Sequence, residues 1–212
     1  VAAEVKKYDG VRRKQAIGSL VKTLHIDNLD VIASYGEDAA VIQNGRTALL
    51  LAADGIWNKL MEIDPYWAGY CAILVNVHDI AAMGGRPVAM VDILSASDDE
   101  VMAQVTNGMR DAANAFNVPV VGGHLHPDAP YNVIDVSILG VADLENVIYS
   151  STAQVGDSII MAIDLNGRIH PSARMNWDSV TQKTPEVLQK QLGVMKELGE
   201  HHLLTAGKDI SN

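Results

Sequence analysis

Apolar residues recur along this chain in two rhythms, one helical and one alternating. In "VRRKQAIGSLVKTL", the stretch from about 11 to 25, Ile17, Leu20, Val21 and Leu24 fall on one stripe, which predicts an amphipathic helix. "AAVIQNGRTALLLAAD" predicts a hairpin turning at Asn44-Gly45, where both central residues would take positive φ. "DPYWAGYCAILVNVHDIAAMGG" opens with Asp64 as helix cap and Pro65 at the first helical position, and it closes on Gly84 and Gly85. A strand, "PVAMVDILSA", comes next. A helix over about 98–116 follows, with "SDDE" supplying acids at its positive end. "VPVVGG" reads as a short buried strand that stops on its glycines, and "NVIDVSILGVAD" and "VGDSIIMAI" read as further strands. "TPEVLQKQLGVMKELGEHH" predicts a last helix capped by Thr184, and residues 164–183 are the most linker-like stretch. Helices and strands alternate irregularly, with hairpins between them, so the expected class is α+β (mixed α/β).

Composition narrows the functions open to such a fold. At 212 residues the chain is one large domain, or one domain and part of a second. Its formal charge of -10 argues against a nucleic-acid backbone or an anionic membrane as partner. A nucleotide would need a divalent cation or a nest of N–H groups to bind here. Cys71 is the one cysteine, which excludes an intrachain disulfide and fits a reducing, cytoplasmic setting. It sits among Ala72 and Ile73 and reads as core rather than nucleophile. No apolar run reaches the ~18–20 residues of a membrane span.

The carboxylates are harder to place. The helix over 64–85 is apolar nearly all round, so it is expected to be buried, yet Ala72, Asn76, Asp79 and Met83 share one face. An unpaired carboxylate there costs several kcal/mol, so Asp79 should be paired, protonated or metal-bound. A structural ion pair and a metal ligand both meet that demand. "SYGEDAAVI" sets Glu37 and Asp38 just before an apolar strand, and "LLLAADGIW" sets Asp54 at the end of another, beside Gly55. A plain turn is the commoner reason for any single Asp-Gly. Taken together, three separated acids and an amide form an all-oxygen donor set, which suits Mg²⁺ shared with phosphates rather than zinc. Gly122-Gly123 can form a phosphate-cradling turn, although a bare pair of glycines is a weak signal. His124 and His126 make a poor zinc pair, having no cysteine in reach, and His126 reads as a solvated loop residue. The P-loop, dinucleotide, nucleophile-elbow and H-E-x-x-H patterns are absent from the sequence.

The order "GEDAAVI", "ADG", "NVHDIAAMGGRPVAMVDIL", "VVGGH", "GDSIIM", "KDIS" resembles the aminoimidazole ribonucleotide (AIR) synthetase superfamily. That superfamily includes thiamine monophosphate kinase, selenophosphate synthetase and a hydrogenase-maturation dehydratase. The resemblance runs from about residue 36 onward. It implies ATP and Mg²⁺ as cofactors, a small-molecule substrate phosphorylated or activated at an oxygen, and a homodimer whose strands form a barrel. It also implies that Asp38, Asp54 and Asp79 hold metal on the ATP phosphates. Glu37, Asn76, Gly122, Gly123 and Asp209 then lie around the nucleotide, with His124 and Lys59 as candidate catalytic residues. Asp209 and Ser211 match the motif that opens the family's second domain, although Asn212 stands where the family often has Asp. The expected layout is therefore an ATP-binding and dimerising domain over 1–163, then a linker and the start of a second α/β domain over 164–212. Departures narrow the choice of member. His124 replaces the Asp of thiamine monophosphate kinase, "DGIWNK" places bulky Trp57 where AIR synthetase has small residues, and the reactive Cys of selenophosphate synthetase is missing. The opening "GVRRK" with "GGHLHPD" most resembles the AIR-synthetase-related proteins known as a methanogenesis marker. The alternative function is a nucleotide-binding regulatory or scaffold dimer without turnover.

Overall fold

A computed structural model describes residues 4, 7, 17–127 and 129–210. The first part of the expected helix over 11–25, and Ser211 and Asn212 of the last motif, lie outside the described residues. The strands are β1 (Val31–Ala33), β2 (Ala40–Asn44), β3 (Thr47–Gly55), β4 (Arg86–Ser95), β5 (Val120–His126) and β6 (Val133–Asp143), with a small pair β7 (Arg168–Ile169) and β8 (Trp177–Asp178). The helices are α1 (Ile17–Leu24), α2 (Asn58–Ile63), α3 (Pro65–Ala82), α4 (Asp99–Phe116), α5 (Pro185–Leu192) and α6 (Val194–Glu200). Six strands form one mixed sheet in the order β1-β2-β3-β6-β4-β5, antiparallel except for the β4–β5 pair.

Local chemistry sets the long helices. Asp64 caps α3 by accepting the Trp67 N–H at 2.9 Å, and Pro65 follows at the first helical position. Asp98 caps α4 through the Val101 N–H at 2.9 Å, and α4 ends on Asn117 in the left-handed region. α3 is apolar all round because β3 and β6 cover one side of it and α4 another. The two helices approach so closely that a Cβ on Gly108 would lie 1.9 Å from the Tyr66 carbonyl oxygen, and one on Gly69 would lie 2.0 Å from that of Val105. Leu50, Ile73, Val77, Ile80, Met90 and Ile138 fill the space between helices and sheet. Helices therefore cover one face of the sheet. On the other face Leu51, Val91, Ile93 and Leu139 stay exposed.

Several expectations are corrected. The hairpin turn is Gly45-Arg46, not Asn44-Gly45: Asn44 still pairs with Thr47, and only Gly45 takes positive φ, as in a II′ turn. β5 is not a buried strand ending on its glycines. It runs through them to His126 as the exposed edge of the sheet, because β4 pairs with it on one side only. Residues 155–163 form no strand; Val155, Ile159 and Ile160 are exposed, since no described strand lies alongside to complete a ladder. The last helix is two, broken at Gly193. The amphipathic helix expected over about 11–25 is present in its described part as α1, with Ile17, Leu20 and Leu24 exposed. Residues 164–183 are not loose: His170 stacks on Trp67 at 4.3 Å, and Ala173 and Val180 join the main core.

Candidate functional site

Three acids far apart in sequence meet in space. Asp38 ends the turn that leads into β2, Asp79 projects from the second half of α3, and Asp209 lies in the segment after α6. One oxygen from each lies within 4.8 Å of the others. The main chain helps to hold them together: the Asp209 N–H donates to Asp38 Oδ2 at 3.1 Å. Upstream, the Gly207 N–H donates to the Tyr149 carbonyl at 3.2 Å, and Thr152 Oγ1 donates to the Thr205 carbonyl at 2.6 Å, fixing the approach to Asp209. Asn76, one helical turn before Asp79, is fully buried. Its amide nitrogen donates to the Ala72 carbonyl at 2.8 Å, while its side-chain oxygen finds no partner among the described residues. Such an orphaned acceptor costs energy unless something donates to it.

Glu37 serves as a clamp. Its carboxylate accepts the Ser150 N–H at 2.6 Å and the Ser151 N–H at 3.2 Å, tying the acid-bearing turn to the segment after β6. Burial pushes its pKa upward, but the hydrogen bonds from Ser151 and Ser150 outweigh that and hold it below the ordinary value. Asp54 lies at the end of β3, in register with Val136, and is not part of the Asp38–Asp79–Asp209 group. Lys59 lies in the first turn of α2 and sits over the Trp57 ring at 5.4 Å. Cys71 is buried and its thiol is pushed up to about 12, first by burial, as its core position predicts.

The glycines and histidines of β5 stand elsewhere. Gly122 and Gly123 are strand residues rather than a turn. Gly123 makes room for a neighbour: a Cβ there would lie 2.2 Å from Asp92 Oδ1. Asp92 lies on the helix side of β4, beside a cavity of about 240 Å³ lined in part by Met102 and Thr106, and burial raises its pKa. His124 pairs in register with Ile93, so its ring belongs to the open face of the sheet. His126 is the last residue of the strand rather than a loop residue, and its ring lies 4.6 Å from that of His124, edge to face. Three strands separate β5 from β2, so His124 is four strand spacings, roughly 19 Å, from the strand that Asp38 precedes. Within one chain, then, the expected His124 and the acid group do not converge.

Lys208 is the residue that the sequence reading passed over. Its ammonium pairs with Asp38 and lies 2.6 Å from Asp209 Oδ1. A lysine directly before Asp209 in "GKDIS" was the available signal.

Residues 36–142 match the family described as "AIR synthase related protein, N-terminal domain". The chain belongs to this family. An uncharacterized protein of Methanocaldococcus jannaschii is 46% identical over the whole chain, which spans 67% of that relative. The thiamine-monophosphate kinase of the same organism is 26% identical over 83% of the chain, which spans 60% of the kinase. The solved structure described as AaThiL complexed with AMPPCP and TMP matches with a TM-score of 0.57 and 26% identity, over 68% of this chain and 45% of its own. The mixed sheet with helices on one face is the fold this membership leads one to expect. Among the described residues, no helix is long and apolar enough to cross a membrane.

Proposed function

We propose that this chain carries the ATP- and Mg²⁺-binding part of a cytoplasmic enzyme that phosphorylates or activates an oxygen of a small substrate. The observation that carries this reading is the convergence of Asp38, Asp79 and Asp209, each from a different part of the sequence, to within 4.8 Å. The donor set fits a hard cation: three carboxylates offer only oxygen, and an octahedral ion with so few protein ligands has positions left for phosphate oxygens and water. Asp38, Asp79 and Asp209 would hold the ion, which would neutralise charge on the transferring phosphoryl group. The protein's own part is positioning. The Glu37 clamp and the Asp209 N–H fix Asp38, and the α3 backbone fixes Asp79. The kinase likeness and a relative solved with AMPPCP support the nucleotide.

The proposal extends to parts of the site that lie apart in one chain. Asp54 is assigned to a further metal or phosphate contact, Lys59 and His124 to the substrate side, and Asn76, Gly122 and Gly123 to the nucleotide's surroundings. The uncovered sheet face is assigned to a homodimer, and residues 164–212 to the passage into a second α/β unit. Neither nucleic acid nor membrane enters this reading. The alternative, a nucleotide-binding scaffold without turnover, draws on one observation: the Lys208 ammonium already offers the acids a counter-charge. Calorimetry with ATP and Mg²⁺ decides the first step. Wild type should bind ATP in a Mg²⁺-dependent way, and Asp79→Asn should lose that dependence. Equal affinities in the two proteins would sink the proposal.

A further inference from the structure

The carboxylates of Asp38 and Asp209 are almost closed to water, with side chains 2% and 14% exposed, while the Lys208 side chain between them is 43% exposed. Two acids held together and cut off from solvent repel each other unless a cation stands between them. Here that cation is an ammonium on a four-carbon stem, paired with both. The acids do not depend on it for their positions. The Asp209 N–H donates to Asp38 Oδ2 at 3.1 Å, and the approach to Asp209 is fixed by the Gly207 N–H on the Tyr149 carbonyl and by Thr205 Oγ1 on Asp157 at 2.8 Å. Backbone and neighbouring side chains set the ligand geometry, and one flexible lysine supplies the charge.

A divalent ion using the same oxygens cannot share them with a seated ammonium. The two are like charges at contact distance in a shielded place, where their repulsion is strongest. We infer that Lys208 is a tethered competitor for the metal: its ammonium occupies the cation position at Asp38 and Asp209, and metal binds only as the side chain swings out. This inference rests on the metal reading above and adds a residue that sets the occupancy of the site. The freed ammonium is left near the position that the phosphates take in that reading, and a phosphate oxygen is a suitable partner for a lysine point charge. The apparent metal affinity equals the intrinsic affinity scaled by the fraction of time the lysine is away. A side chain seated nine-tenths of the time would weaken binding about tenfold.

The test follows free Mn²⁺ by its electron paramagnetic resonance signal as it is titrated into the 212-residue chain without nucleotide. Lys208→Met should bind Mn²⁺ about tenfold more tightly than wild type. Lys208→Arg, which keeps the cation, should stay close to wild type. Lys196→Met removes a surface charge paired with Glu200 and controls for net charge; it should shift affinity less than twofold. If Lys208→Met is too unstable to titrate, Lys208→Gln serves in its place, and Mn²⁺ should raise its melting temperature more than that of wild type. Equal affinity in wild type and both neutral variants overturns the competition and leaves the metal reading standing. A gain in Lys196→Met as large as that in Lys208→Met also overturns it. Binding in none of the proteins removes the metal reading and the inference together.

Discussion

Asp79 is the candidate metal ligand that a helix carries. It is nearly buried, sits on an apolar helix and faces two more acids. Asp79→Asn should lower Mg²⁺ or Mn²⁺ affinity by about tenfold or more, since one of three charged ligands is lost. Calorimetry with the metal ion checks it. Glu37 gives a pH prediction. Its folded pKa is depressed below the ordinary glutamate value of 4.5, so its clamp stabilises fully above that value and is lost as pH falls through the folded pKa. Wild type should be more stable than Glu37→Gln at pH 6, and the gap measured by urea unfolding should close as pH falls below 4.5. A gap that widens on acidification would contradict the clamp. His124→Ala should leave metal affinity unchanged within about twofold, because three strands separate its strand from β2. Asp38 and Asp79, which the structure brings into one acidic group, stood out in the sequence because an acid before an apolar strand, or on an apolar helix, breaks the local pattern. Lys208 was not: a lysine in a polar stretch breaks no pattern, and its partner Asp38 is 170 positions away.

Among the elements, what the sequence revealed depended on how local the signal was. α3 and α4 carry their caps within four residues, so Asp64 and Pro65, and the acids of "SDDE", marked their starts. The hairpin was legible as a hairpin, but not its exact turn, because Asn44-Gly45 and Gly45-Arg46 share the glycine on which either depends. Strands fared worse because pairing is a property of two segments. "VPVV" looks the same in a sheet centre and at an edge, and "SIIMAI" is an apolar run of strand length yet has no described strand to pair with. The α3–α4 contact was also illegible, since a glycine within a helical pattern does not say what lies against it, and Gly69 and Gly108 are where the helices meet. That contact gives a prediction. In an open helix Gly108→Ala would gain about 1 kcal/mol from propensity. Here the new methyl would press on the Tyr66 carbonyl, with backbone on both sides and no flexible side chain to yield. The net effect should be destabilisation by about 1–3 kcal/mol, read as a lower urea midpoint at unchanged slope. A stabilised variant would show that the helices can separate without cost.

At the scale of the whole molecule, the uncovered face of the sheet calls for a partner. Leu51, Val91, Ile93 and Leu139 come from three adjacent strands, β3, β6 and β4, and point away from the helices, each more than a third exposed. An exposed apolar surface of that kind, interrupted by Ser137 and Asp135 of β6, on a sheet whose other face is largely covered by helices, is suited to a sheet-to-sheet interface. The edge strand β5 extends the same surface and carries His124 on it. A second copy is the simplest cover, because a twofold axis lets one patch serve both subunits. The chain should therefore run in light scattering at roughly twice its 22.8 kDa. Ile93→Asp puts a second charge on that face beside Asp135 of β6, where the monomer leaves both in water and a dimer would bury them together. It should yield a folded monomer, with helical signal retained and mass halved. If wild type is already a monomer at micromolar concentration, the dimer reading fails. If Ile93→Asp stays dimeric, the subunits join through some other surface, and the open face with His124 is left for a different partner.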